Sequence, residues 1–354
     1  MNTMVRENLP FSFLSFDIEA LPGRAPADHV ERLVWGRIGD GEFGLRRLCN
    51  ILWQHRIRGN FLIDFSMCVL YGDQVVREIV DYLMEQGHEI HAHLHSEWLV
   101  RRWGINGDWS GPLGMDRLGP FLNDAFLQYT AFKYWKLTGS TPQVFRAGSC
   151  LFSQDTVAAA SRAGFIGLSN FNRERHEGTW RMSAESAADE PFLWPEGIVE
   201  LPMDIAPEPL SYPWEKYLSG FERVRIRKRT RTFNLILHST SLLQRQASGH
   251  FENFNPEHEE NLHRICEHLA ANTVSQGYAE YLSQRHAFPV LREAACLSRP
   301  VQVTSPLLRC QLCSCLFGST LQAGCPVCGT QGASIPYVAG IASQTASQSG
   351  LVLT

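Results

Sequence analysis

The sequence predicts a parallel α/β fold, in which buried strands alternate with amphipathic helices. Residues 11–16 form an aromatic, strand-like run, and apolar residues at helical spacing follow over 43–52. Residues 61–63 predict a second strand, residues 75–83 a second helix, and the chain then enters a histidine-rich strand over 88–95. This strand–helix–strand–helix–strand order is typical of parallel sheets.

Composition limits the class of protein. The chain has 354 residues, of which 44% are hydrophobic and 19% charged, so it can bury a large core. The net charge of −4 mixes both signs, and we expect neither a nucleic-acid partner nor binding to an anionic membrane. No run approaches the roughly 20 apolar residues of a membrane span. Residues 1–10 lack the apolar centre of a secretory signal, and we expect a cytoplasmic location.

Two acids follow the first strand directly. Asp17 and Glu19 come just after the apolar run 11–16 and before the turn at 21–23. Because carboxylates are rarely buried without a partner, we expect them at the carboxyl end of the sheet, where α/β proteins hold their reactive groups.

The segment 87–98 carries four histidines and two acids. Alternation along a strand places His91, His93 and His95 on one side of it. Converging nitrogen and oxygen donors are what a zinc site needs, and this is the interpretation we favour. The alternative is a polar strand edge whose histidines are satisfied by hydrogen bonds.

Three later strands also end in polar residues. Strands predicted at 144–145, 198–201 and 233–237 lead to Arg146, Asp204 and His238. Helices predicted from about 122 to 137, from 153 to 163 and from Asn255 onward complete the alternation.

Two segments allow more than one interpretation. Residues 98–120 interrupt the alternation with Trp98, Trp103 and Trp109, and suggest a loop over the site. These tryptophans could stack on a sugar ring or only anchor the loop. The basic run 223–231 predicts a solvated strand face or loop, with binding of an anionic substrate group as the alternative.

Four motifs resemble, in order, those of the polysaccharide deacetylase family, also called the NodB-homology or carbohydrate esterase family 4. They are Ser-Phe-Asp-Ile-Glu at 15–19, Gly-His-Glu-Ile at 87–90 with His93, Phe-Arg-Ala-Gly at 145–148, and Leu-Ile-Leu-His at 235–238. The resemblance covers about residues 10–285, and each motif stands at a predicted strand end.

The resemblance implies a distorted (β/α)7-type barrel that holds one divalent metal, expected to be Zn²⁺, and hydrolyses N-acetyl or related acyl groups. Matched by motif, Asp17 is the general base and Glu19 a metal ligand. Arg146 orients Asp17, and His238 protonates the departing amine. Backbone N–H groups just after Arg146 are expected to stabilise the oxyanion.

One departure from the family pattern affects the metal ligands. The family's second motif is His-x-x-x-His, whereas here Glu97 stands four residues after His93. Either Glu97 replaces the second histidine, or His95 turns inward and binds the metal instead. We favour His93 and His95 as ligands beside Glu19, with Glu97 as a further ligand or a support. A metal-free enzyme is a third alternative.

The carboxyl-terminal part predicts a small zinc ribbon at 306–331, after a linker at 286–305 and before a flexible tail at 332–354. Its two CxxC pairs are separated by eleven residues, a spacing that closes a tetrahedral zinc site. The four predicted ligands are Cys310, Cys313, Cys325 and Cys328.

Together these features predict a cytoplasmic, metal-dependent deacetylase that acts on an N-acylated sugar or sugar conjugate, such as an intermediate of glycan biosynthesis. Two alternatives remain. One is a scaffold with a degenerate barrel and a protein partner bound through the ribbon, and the other is a hydrolase of a non-sugar amide on the same fold.

Overall fold

Seven parallel strands form the centre of the described part of the chain. The computed structural model describes residues 9–107, 113–182, 189–204, 209–227, 232–284, 287–291, 294–304, 307–310, 316–318, 325 and 334–337. The parallel strands are β1 (Phe11–Ile18), β2 (Asn60–Asp64), β3 (Glu89–Leu94), β4 (Val144–Ala147), β5 (Gly167–Leu168), β6 (Val199–Glu200) and β7 (Thr232–His238).

The sheet runs in the order β7-β1-β2-β3-β4-β5-β6, with Phe192–Leu193 antiparallel on β6 and Val274–Ser275 beside β1. Asp17 pairs in register with His238, and His93 pairs with Arg146. The register therefore brings four of the predicted site residues to one edge of the sheet. The predicted parallel α/β class is confirmed.

Asn234 and Asp204 join the two ends of this curled sheet. The Asp204 backbone N–H donates to the Asn234 carbonyl at 3.0 Å, and Asp204 Oδ2 accepts from the Asn234 backbone N–H at 2.8 Å. The Asn234 amide also donates to the Leu201 carbonyl at 3.1 Å. One backbone hydrogen bond and two side-chain hydrogen bonds thus take the place of a strand ladder between β6 and β7, which gives the barrel its distorted closure.

Helices cover the outside of the sheet. The longer ones are α1 (Leu45–Gln54), α2 (Asp73–Glu85), α3 (Pro120–Thr138), α4 (Gln154–Arg162), α5 (Trp214–Arg227) and α6 (Pro256–Asn272). Shorter helical segments lie at His29–Leu33, Met67–Tyr71, Ser96–Arg102, Arg173–His176 and Tyr278–Ser283, with 3₁₀ turns at Met115–Arg117, Gly148–Cys150 and Pro209–Ser211.

Local sequence explains where these elements begin and what they bury. β1 reads as an almost continuous apolar run because both of its faces are covered, as expected for a central parallel strand. α6 begins where predicted, since the Asn255 side chain accepts from the backbone N–H groups of Glu257 and His258 and Pro256 follows it. α2 buries Val76, Ile79, Val80 and Leu83 against the sheet.

One prediction about connecting segments is wrong, and one of the two interpretations of another is excluded for Trp103. The described residues of the basic run, 223–227, form the last turns of helix α5 rather than a strand face or loop. The segment 98–120 contains most of the helix Ser96–Arg102, and Trp103 is fully buried against Phe126 and Tyr129. Trp103 is therefore part of the core and cannot stack on a sugar, whereas Trp109 lies outside the described residues.

The segment predicted as a linker makes contacts with the barrel. Ala294–Cys296 pairs antiparallel with Trp180–Met182, and Val303 bridges to Gly107. Beyond it, Leu307–Cys310 pairs with Leu316–Gly318 and Ser334–Tyr337. Cys310 and Cys325 are buried in the main hydrophobic core, while Cys313 and Cys328 lie outside the described residues.

Among the described residues, no helix is both long and apolar enough to cross a lipid bilayer.

Candidate active site

A cavity of about 370 Å³ lies at the carboxyl-terminal ends of β1, β3 and β7. Five of the predicted site residues line it: Asp17, Glu19, His93, His95 and, from β7, His238. The cavity is therefore located where parallel α/β proteins hold their reactive groups.

Asp17 is held by a buried ion pair. Arg146 Nη1 donates to Asp17 Oδ1 at 2.6 Å, and the guanidinium is fully buried. Its remaining donors are used as well: Nε donates to the Ser169 carbonyl, and Nη2 lies within 3.1 Å of the hydroxyls of Ser15, Ser169 and Tyr278. Because every donor group has a partner, the guanidinium fixes the orientation of Asp17 in the cavity.

The electrostatics of this pair favour its charged form. Desolvation opposes the charge on Arg146, but the attraction and hydrogen bond of Asp17, together with smaller contributions from Tyr278 and Cys150, raise the pKa of Arg146. The prediction that Arg146 orients Asp17 agrees with this geometry. Asp17 lines the cavity, and its Oδ2 accepts no hydrogen bond from any described side chain.

Glu19, His95 and Glu97 form a chain of hydrogen bonds. His95 Nε2 lies 2.7 Å from Glu19 Oε2, and His95 Nδ1 lies 2.8 Å from Glu97 Oε1. Glu19 Oε1 also pairs with Arg24. The side chains of Glu19 and His95 are buried, whereas that of Glu97 is 26% exposed.

Attraction between opposite charges sets the direction of the pKa shifts of Glu19, His95 and Glu97. Burial opposes ionisation of both partners, yet the adjacent carboxylates raise the pKa of His95, and His95 with Arg24 holds the pKa of Glu19 well below its usual range. Burial likewise opposes ionisation of Glu97, and the His95 hydrogen bond lowers its pKa. All three of these side chains are therefore charged at neutral pH.

The positions of His95 and Glu97 bear on the alternatives left open by the sequence. His95 turns toward Glu19, and Glu97 contacts the opposite nitrogen of the same ring. Glu97 thus takes the position of a carboxylate that orients a metal-binding histidine. Gly148 packs directly against this ring, since a Cβ at that position would lie 2.8 Å from His95 Nδ1.

The hydrogen bonding of His93 indicates whether this cluster can bind a metal. Its Nδ1 donates to the Arg146 carbonyl at 2.9 Å, which leaves the lone pair on Nε2. Nε2 is buried, has no hydrogen-bond partner among the described residues, and lies 3.6 Å from Glu19 Oε2. Donor atoms of Glu19, His93 and His95 all lie within 4.8 Å of one another. Two imidazoles and one carboxylate fit a zinc-type ion.

His238 ends β7 beside this cluster, with Nε2 3.8 Å from Glu19 Oε1. Its backbone N–H donates to Ser241 Oγ at 2.8 Å. A second histidine, His258 at the start of α6, also lines the cavity and donates from Nδ1 to the Ser241 carbonyl at 2.9 Å. Ser241 thus contacts both the backbone of His238 on β7 and the imidazole of His258 on α6.

The turn after β4 differs from the prediction that the backbone N–H groups just after Arg146 stabilise the oxyanion. The Ala147 N–H donates to the Asn170 side chain at 2.7 Å and is not directed at a substrate. Ser149 and Cys150 line the cavity instead, with positive φ angles of 53° and 55°. Burial raises the pKa of the Cys150 thiol to about 12, so this group stays protonated.

Sequence reasoning missed five groups of the site: Asp64, His258, Arg24, Arg175 and Arg245. Asp64 ends the short strand β2, where an acid after an apolar run was a usable signal, and its Oδ1 accepts from the His95 backbone N–H at 3.1 Å. The three arginines stand in a turn, a four-residue helix and a short hairpin strand, and no sequence pattern links them. Asp204 contacts Asn234 at the barrel closure.

No model of a known protein family matches this chain, and no curated protein sequence matches it. Several solved structures are similar. One is a protein of Mycobacterium smegmatis assigned as a polysaccharide deacetylase, with 17% identity, 80% of this chain and 93% of that chain covered, and a TM-score of 0.51. A 4-alpha-glucanotransferase from Thermococcus litoralis has 11% identity and a TM-score of 0.52, with 84% of this chain and 42% of that chain covered.

A family 4 carbohydrate esterase from Streptomyces lividans, solved with acetate, is also similar, with 11% identity, a TM-score of 0.41, and 79% and 98% of the two chains covered. The chain has the α/β barrel fold of the polysaccharide deacetylases, as the motifs implied. Since a glucanotransferase shares that fold, the activity has to be argued from the site.

Proposed function

We propose that this protein is a metal-dependent hydrolase that removes an N-acetyl or related acyl group from a sugar or sugar conjugate. The observation that carries the proposal is the convergence of an ion-paired Asp17, the Glu19–His93–His95 cluster and His238 on one cavity. An intermediate of glycan biosynthesis as the substrate is part of the same proposal.

The metal would be held by Glu19, His93 and His95, because their ligand atoms lie within 4.8 Å of one another and His93 Nε2 has no hydrogen-bond partner among the described residues. When bound, a divalent ion polarises the acyl oxygen and makes a bound water more acidic. Glu97 contacts His95 Nδ1 and keeps its Nε2 directed at Glu19.

Asp17 is the proposed general base. Arg146 binds Oδ1, so Oδ2 is the oxygen left to take a proton from the attacking water. The same ion pair keeps the carboxylate in one orientation, because Arg146 is itself fixed by Ser169, Ser15 and Tyr278. His238 is the proposed general acid for the departing amine, since it faces the cluster from the neighbouring strand β7.

The test is acetate release from N-acetylglucosamine oligomers by the wild-type chain, before and after removal of metal with a chelator. Asp17→Asn should lower kcat by about 10²–10⁴, the usual contribution of a general base. The exposed Asp81→Asn on helix α2 is the matched control and should retain activity.

Unchanged acetate release in Asp17→Asn would show that the assigned base is wrong. A folded, metal-loaded protein that releases no acetate would favour the scaffold instead, and release from simple amides but not from sugars would favour the non-sugar hydrolase.

A further inference from the structure

The cavity carries more positive charge than its carboxylates neutralise. Three arginines line it, Arg24, Arg175 and Arg245, and its two lining acids are already paired. Arg146 contacts Asp17 from outside the cavity lining, and Arg24 with His95 contacts Glu19. The remaining two arginines therefore have no carboxylate of the cavity to neutralise them.

Arg175 reaches the cavity from the short helix Arg173–His176. Its Nη2 donates to the Ser149 carbonyl at 2.8 Å, a neutral acceptor that leaves its charge uncompensated. Its neighbour Arg173 is different, since it pairs with Asp189 at 2.7 Å and does not line the cavity. The short helix thus directs one paired arginine outward and one arginine without a described carboxylate partner into the cavity.

Arg245 reaches the cavity from the hairpin formed by Leu243–Arg245 and Phe251–Phe254. Among the described residues no carboxylate lies within ion-pair distance of it. His258 lines the same side, and its Nδ1 donates to the Ser241 carbonyl. Two guanidinium groups on separate elements therefore line one cavity, and neither has a carboxylate partner among the described residues.

We propose that the substrate carries an oxyanion, a phosphate or a carboxylate, which Arg175 and Arg245 bind while the acyl group lies at the Glu19–His93–His95 cluster. This deepens the proposed function and rests on it. A guanidinium matches both anions with two parallel N–H donors, and charge-assisted hydrogen bonds are about twice as strong as neutral ones. A neutral sugar chain would leave both groups without a counter-charge.

Binding is measured by calorimetry in an Asp17→Asn background, so that turnover does not consume the ligand. The ligands are N-acetylglucosamine, its 1-phosphate and 6-phosphate, and N-acetylmuramic acid, which carries a carboxylate. At low salt we expect at least one anionic sugar to bind about tenfold more tightly than the neutral one, with the advantage reduced at high salt.

Arg175→Gln and Arg245→Gln should each weaken binding of that anionic sugar by about tenfold and change the neutral sugar by less than about twofold. Glutamine keeps an N–H donor and removes the charge, and circular dichroism of each variant checks that the fold is retained. The matched controls are Arg173→Gln, on the same short helix, and Arg225→Gln. In the wild-type chain Arg173 pairs with Asp189 and Arg225 pairs with Glu222.

Tighter binding of the phosphates identifies a phosphoryl group as the anion, and tighter binding of N-acetylmuramic acid identifies a carboxylate. Equal affinities for the neutral and all anionic sugars overturn the inference, as does an equal loss in the control variants. Because calorimetry does not require acetate release, failure of the proposed hydrolysis would leave this result readable.

Discussion

Gly148 has no side chain, and the ring of His95 occupies the space where one would be. A Cβ there would lie 2.8 Å from His95 Nδ1 and 3.0 Å from the Leu94 carbonyl. Gly148→Ala should therefore move the ring away from Glu19 and lower kcat by about 10², the cost of a shift near 1 Å in a reacting group.

The matched control is Gly178→Ala, since a Cβ at Gly178 meets nothing within 4 Å. Steady-state acetate release from both variants makes the comparison. Full activity in Gly148→Ala would mean that the position of His95 does not matter for the reaction.

Glu97 contacts the site through the His95 ring. Glu97→Gln replaces the charged acceptor of the Nδ1 proton with a neutral one. We expect metal affinity to fall by about 10–100-fold, as is usual for carboxylates that orient a metal-binding histidine. Competition with a coloured chelator measures this directly, with the exposed Glu85→Gln as control. A larger loss, equal to that of His93→Ala, would instead make Glu97 a ligand.

At the scale of elements, Glu89 joins strand β3 to the helix Tyr278–Ser283. Its carboxylate accepts from the backbone N–H groups of Ala279 at 2.8 Å and Glu280 at 3.3 Å, and lies 3.2 Å from His91 Nε2. Burial opposes ionisation of Glu89, but His91 and these N–H groups lower its pKa below the ordinary 4.5.

This lowered pKa gives a pH dependence with a definite sign. The stability that ionised Glu89 contributes is complete above the unfolded-state pKa near 4.5 and is lost as the pH falls through the folded-state value. Glu89→Gln should lower the free energy of unfolding by about 1–3 kcal/mol at pH 7, through the weakened buried hydrogen bonds.

The difference between wild type and Glu89→Gln should then shrink below pH 4.5. Urea unfolding between pH 3 and 7 tests it, on the scale of roughly 1 kcal/mol that such curves resolve. A difference that is the same at every pH would show that folding does not lower the pKa of Glu89.

At the scale of the whole molecule, two metal ions per chain remain our prediction, one in the barrel and one in the ribbon. Cys310 and Cys325 are buried with the barrel core, and Gly318 donates its backbone N–H to the Trp103 carbonyl at 2.7 Å. Cys310→Ser with Cys313→Ser should remove one ion and lower the melting temperature, because ribbons of this size fold with their metal.

Elemental analysis and thermal unfolding of this double variant provide the measurement. Retention of acetate release with one ion lost would separate the two sites. Cys266→Ser, at a buried position of helix α6, is the control for loss of a thiol. If the double variant keeps both ions, the cysteines do not bind zinc.

Local sequence patterns predict the alternation of strands and helices and the position of Asp17, Glu19, His93, Arg146 and His238 at strand ends. Apolar periodicity and polar residues just after apolar runs are local signals, and they do not depend on the rest of the chain. For the same reason the helix starting at Asn255 was predicted to within a residue.

Which side chains of the site contact one another depends on the tertiary structure. The choice between His95 and Glu97 depends on which nitrogen of one ring faces Glu19, and a difference of two positions in sequence does not specify a ring orientation. Arg175 and Arg245 come from separate connecting segments, which no periodicity links. Their convergence on the cavity is set by chain closure between distant elements, and local sequence does not encode it.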